Sequence, residues 1–233
     1  MGFFDDDEKY QRELKERKVK SAKLLGKWVT VMFWLQVVSV VAGVLDSDVF
    51  ERIPVIYWAG TILGYGIMIA NSVILIKLKE VEDWFGKAGV CYLVSGLSGI
   101  VIALLLLGGA TAIGSTLSIA MMIVEIRGNY DECTGYEVVL SGEDDDLSAK
   151  WARQWKLELI CVVSIIVSMV VLFVGALTGG GILTILAGFV TLAVAIGAFV
   201  LGIMRMVYMY RTAELFRNYR PEEVEIVAEQ DAF

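Results

Sequence analysis

Long apolar runs separated by short charged blocks organise this chain. The clearest run extends from Ala88 to Ile126 and carries no charge until Glu125. As one helix it would be about 58 Å long at 1.5 Å per residue, roughly twice the thickness of a bilayer's hydrocarbon core. It must fold back once, and Gly108-Gly109 is the break nearest its middle. The same unit of apolar run, tight turn and apolar run recurs on either side. This predicts an all-α membrane protein with six transmembrane helices arranged as three antiparallel hairpins. The spans are read at 28–45, 54–76, 88–107, 110–126, 157–177 and 182–204. They share a pattern rather than residue identity, so the repeat is weak evidence for a repeat-built transporter.

Between and beyond the spans the pattern changes. Residues 1–27 read as a cytoplasmic amphipathic helix, with Tyr10, Leu14, Ser21, Leu25 and Trp28 near one face and Arg12, Lys15, Lys18, Lys20 and Lys23 over the remainder. A helix lying on anionic headgroups and a solvated helix leading into the first span both fit. The modest apolar face and six acidic residues favour the solvated form. The segment is too long and too acidic for a secretory leader, so the first span is expected to be a retained anchor. Met1-Gly2 does not make a myristoylation signal, because Asp6 stands where Ser or Thr is needed.

The pattern of the second span continues through KLKEVEDWF, which predicts a helix projecting past the membrane surface. Residues 127–156 read as a polar cytoplasmic segment. In it YEVVL suggests a short strand, SGEDDD a turn, and Asp146 or Ser148 a cap for the next helix. Trp151 and Trp155 then read as an interfacial anchor at the head of the fifth span. Thr178 to Gly181 forms the last tight turn. Residues 206–233 read as a cytoplasmic helix extension followed by an acidic tail after Pro221.

Charge adds an orientation. Nineteen of the 20 Lys and Arg residues fall in the N-terminal segment, the second-to-third and fourth-to-fifth connections and the C-terminal segment, leaving only Arg52 elsewhere. The positive-inside rule then puts both termini in the cytoplasm, with a plasma (inner) membrane as the expected location. The outer face offers one eight-residue loop and two glycine turns, too little for an extracellular recognition surface.

Composition narrows the chemistry. The chain is 57% hydrophobic and 20% charged, with no histidine and three scattered cysteines, Cys91, Cys133 and Cys161. The commonest general base and the commonest zinc ligand are therefore missing. HExxH, GxSxG, P-loop and dinucleotide-binding motifs are absent, and no aspartate lies within a span. These features predict a non-enzyme without cofactor, metal site or catalytic residue. No basic groove suggests nucleic acid. The outer-loop acids Asp46, Asp48 and Glu51 lack the spacing of a calcium loop and read as a solvated turn.

The candidate polar or charged site within the membrane comprises Gln36, Asn71, Ser118, Glu125, Glu158 and Arg205. The two amides sit at different depths, so direct contact between them is not expected. Glu125, Glu158 and Arg205 fall near the inner ends of spans four to six, where a structural ion pair is favoured over an ion relay. Ser118 belongs to a stripe on span four with Thr111, Gly114, Ser115, Met122 and Glu125, and small-residue packing is favoured over a polar path. The lipid bilayer is the first partner. The preferred functional reading is a membrane subunit or scaffold whose 127–156 segment docks a cytoplasmic or membrane protein, or a homo-oligomer. The alternative is a small transporter or channel with a polar path along spans four to six.

Overall fold

A computed structural model of the chain describes residues 3–45, 53–178 and 181–219. Among these residues there are six helices and no strand: α1 (Phe3–Leu45), α2 (Pro54–Leu78), α3 (Asp83–Leu107), α4 (Thr111–Leu140), α5 (Asp145–Thr178) and α6 (Gly181–Arg217). Each contains a stretch long and apolar enough to cross a membrane. In the most apolar stretch of each helix only 6% to 28% of residues are buried. Much of the remaining apolar surface faces outward, where in water it would drive aggregation, so lipid must cover it. The protein is a polytopic integral membrane protein.

Each helix packs on its neighbours in sequence, and α6 returns to pack on α1, so the principal contacts close a ring. Glycine contacts show how α2 and α3 lie. A Cβ at Gly89 would meet Ser72 and Ile76, one at Gly96 would meet Met68 and Ile69, and one at Gly99 would meet Tyr65. Rising positions on α3 meet falling positions on α2, so the two run in opposite directions. Small residues allow this approach where lipid supplies no hydrophobic drive for helix association.

The core is concentrated at one end of the ring. It gathers Leu25 and Val29 of α1, Leu75 and Leu78 of α2, Phe85 of α3, Tyr136 and Leu140 of α4, Leu147 and Trp151 of α5, and Met209 and Phe216 of α6. Tyr136 stacks on Trp151 with ring centroids 4.2 Å apart, and Phe85 meets Tyr136 edge-on at 5.0 Å. Trp151 Nε1 donates to Thr212 Oγ1 at 3.2 Å. This is the end where the helices outrun their apolar runs. Water there supplies the hydrophobic drive that lipid does not.

Several expectations are corrected at this end. YEVVL is helical: α4 continues to Leu140 because Tyr136 and Leu140 are buried at helical spacing against α3, α5 and α6. Residues 127–156 are therefore the end of α4, a tight turn and the start of α5. The cap of α5 is Asp144, whose Oδ1 accepts the Leu147 N–H at 2.9 Å. Ser148 instead donates to the Glu137 carbonyl at 2.8 Å, tying α5 to α4. Trp151 belongs to the core rather than the interface. KLKEVEDWF does not extend the second span as helix. The chain reverses at Lys79–Glu82, and burial of Leu78 and Phe85 on either side draws it back into the bundle. The N-terminal helix is continuous with the first span. Residues 46–52, with the outer-loop acids, Gly179-Gly180 and the tail from Arg220 onward lie outside the described residues.

Candidate functional site

Because α4 is unbroken, Met122, Glu125, Asn129 and Glu132 fall three or four residues apart on one face. That face fronts a cavity of about 520 Å³ inside the ring. Its wall also includes Met32, Gln36 and Ser39 of α1, Gly64, Met68 and Asn71 of α2, Tyr92 of α3, Val162 of α5, and Arg205 and Met209 of α6. Every helix contributes. The volume lies in the range of sites that enclose small molecules.

Arg205 organises the charged part. Its Nη2 pairs with Glu132, while its Nη1 lies 2.5 Å from Asn129 Oδ1 and 3.3 Å from Glu158 Oε2. Asn129 Nδ2 donates to Glu158, and Gln154 Nε2 donates to Glu158 Oε1 at 2.6 Å and to the Leu201 carbonyl at 3.0 Å. Tyr92 donates its hydroxyl to Glu132 Oε2 at 2.9 Å. The side chains of Arg205, Glu132 and Glu158 are 17%, 3% and 19% exposed. Such a buried group of charges persists only when paired and hydrogen-bonded throughout.

Glu125 stands apart from this network. It accepts a 2.5 Å hydrogen bond from Ser95 Oγ, and no cation pairs with it among the described residues. The Oδ1 of Asn71 is buried without a hydrogen-bond donor. The cavity wall thus carries one guanidinium, two carboxylates and an unused amide acceptor, with a third carboxylate, Glu158, behind Arg205. Among the described residues, no group of three His, Cys, Asp or Glu side chains could hold a metal ion. Met32, Leu75 and Met209 belong both to the cavity wall and to the core. The aromatic core is therefore the floor of the cavity.

Of the residues singled out from sequence, Gln36, Asn71, Glu125 and Arg205 line this cavity, and Glu158 holds Arg205 from behind. Gln36 and Asn71 share the wall despite their different depths. Ser118 is not brought there: it is exposed, and its hydroxyl bonds the Gly114 carbonyl of its own helix at 2.9 Å. Thr111 and Ser115 are exposed as well. The wall is built mainly by α1, α2 and α4 rather than along spans four to six.

Sequence reasoning missed Tyr92, Asn129, Glu132 and Gln154. Ending the fourth span at Ile126 hid Asn129 and Glu132. Their signal was present, since they continue the Met122–Glu125 stripe at the next two helical positions. No protein-family model, curated protein or solved structure matches this chain.

Proposed function

We propose that this protein is a small-solute transporter or channel, and that its solute is a compact organic cation carrying N–H donors. The observation that carries the proposal is the cavity walled by all six helices, with charged groups at its base. A bundle serving only as an anchor would fill this space with apolar side chains, because each buried charge is costly in a membrane. The imbalance of carboxylates over guanidinium favours a cation, and Asn71 Oδ1 and Glu125 offer acceptors to its N–H groups. In the proposed orientation both termini and the aromatic floor face the cytoplasm of the cell's outer bounding membrane, supported by the distribution of Lys and Arg. No chemical step is assigned to the protein.

A scaffold role draws less support. The 127–156 segment that would dock a partner is largely folded into the protein's own core, with Tyr136, Leu140 and Trp151 buried. The test is uptake into liposomes containing the purified protein, with alkylammonium and guanidinium ions set against neutral and anionic solutes of similar size. Cation uptake that falls at least tenfold in Glu125→Gln is expected. Absence of both flux and thermal stabilisation by any solute in the panel would reject the proposal.

A further inference from the structure

A second feature lies outside the ring, where the N-terminal part of α1 passes the end of α2. Lys20, Lys23 and Lys27 lie three and four residues apart on one face of α1, and Lys77 reaches the same place from α2. Together with Trp28 they border a groove of about 490 Å³. The Nζ atoms of Lys27 and Lys77 sit 5.2 Å and 4.8 Å from the Trp28 ring centroid. All four lysines are exposed, and among the described residues none forms an ion pair. Among the described residues, Glu80 is the one carboxylate bordering the groove. Four ammonium groups held this close repel one another unless an anion sits among them.

The level of the groove and the surface continuing from it identify the anion. Lys27 and Trp28 immediately precede the first apolar run, and Lys77 immediately follows the second, so the groove marks the boundary between apolar and polar surface on both helices. The lysine face of α1 continues at the same spacing through Val31, Trp34, Val38 and Val41, all exposed. On α2, Val73 is exposed one turn from Lys77. Cationic groups therefore pass directly into a bare apolar strip. A free phosphate would use only the first part of this surface, whereas a lipid uses both. We propose that the groove between α1 and α2 is a binding site for an anionic phospholipid, with the phosphate held by Lys20, Lys23, Lys27 and Lys77 and the acyl chains along Val31–Val41. The sequence showed only a diluted basic helix. The fourth lysine, the aromatic partner and the aligned apolar strip come from the fold.

Native mass spectrometry of the full chain in mild detergent, titrated with dioleoyl-phosphatidylglycerol or dioleoyl-phosphatidylcholine, tests the proposal. Retention of one phosphatidylglycerol in preference to phosphatidylcholine is expected, falling about fivefold for each lysine replaced by glutamine. The comparison chain carries Lys87→Gln, Arg153→Gln, Lys156→Gln and Arg211→Gln, which removes the same charge without touching α1 or α2, and it should retain the lipid. Equal retention of the two lipids overturns the proposal. So does equal loss in the two quadruple variants. If inorganic phosphate displaces the retained lipid, the groove is a free-phosphate site and the lipid assignment fails. Should the quadruple Lys→Gln chain not fold, Lys23→Gln and Lys77→Gln singly carry the same test, because both side chains are exposed.

Discussion

Arg205 is the residue on which the most charge depends. It lies between Glu132 and Glu158, and each carboxylate has further neutral partners, Tyr92 for the first and Asn129 and Gln154 for the second. Those neutral partners do not balance charge. Arg205→Gln leaves two carboxylates facing each other, and removing one partner of a buried pair costs about 3–5 kcal/mol. The lower end of that range is expected here, because Glu158 keeps some solvent contact. Glu132→Gln leaves Arg205 with Glu158 and should cost about 1–3 kcal/mol. The double variant Arg205→Gln/Glu132→Gln removes both members of the closest pair and should be less destabilised than the sum of the singles. Unfolding in mixed micelles measures all three. Additive losses would show that the two side chains do not act as a unit. At the same scale, Trp151→Ala should cost about 3–5 kcal/mol by the same assay, since it empties the centre of the aromatic cluster formed with Phe85, Tyr136 and Tyr208.

At the scale of elements, the ring closes where α1 meets α6, and Gly26 permits that closure. A Cβ there would lie 2.7 Å from the backbone nitrogen of Arg217 and 2.9 Å from its Cα. Backbone cannot rotate away as a side chain can, so Gly26→Ala must push the helices apart, at about 1–3 kcal/mol. Gly202 on α6 is the contrast, with nothing within 4 Å of its added Cβ. Gly202→Ala should be neutral or stabilise by up to about 1 kcal/mol through helix propensity alone. Unfolding midpoints of the two variants would separate a packing role from propensity, and equal shifts would remove Gly26 as a closure point.

The same comparison explains what the sequence reveals. Span number and type are legible because 18 or more apolar residues in a row have few other solutions. Ring closure is not, because it depends on which small residues meet backbone, and Gly26 and Gly202 look alike in one dimension. The site is half legible for a similar reason. Gln36, Asn71, Glu125, Glu158 and Arg205 stand out as polar groups in apolar surroundings, whereas Asn129 and Glu132 lie in a charged stretch where only their helical spacing from Met122 and Glu125 marks them. Local propensity also misled: YEVVL has strand-forming residues, but Tyr136 and Leu140 find their core contacts only when the chain is helical.

For the whole molecule, the decisive property is its asymmetry along the membrane normal. One end carries the aromatic core, the reversal at Lys79–Glu82 and the turn around Gly142, whose φ of +84° favours glycine. The other carries the Gly108-Gly109 turn and helices whose apolar side chains face outward. A core built by the hydrophobic effect must border water, which puts the first end in an aqueous compartment. We propose, from the Lys and Arg distribution, that this compartment is the cytoplasm. Labelling in intact cells tests this, using a chain whose three cysteines are replaced by alanine. Ala110→Cys in the Gly109 turn should react with a membrane-impermeant maleimide, and Ser141→Cys in the Gly142 turn only after permeabilisation. The reverse pattern would put the cavity floor and the lysine groove on the outside. If the proposed transport role holds, external solute would then meet the end that carries the aromatic floor, so labelling of the same two cysteines after reconstitution gives the side of the liposome from which uptake should be measured.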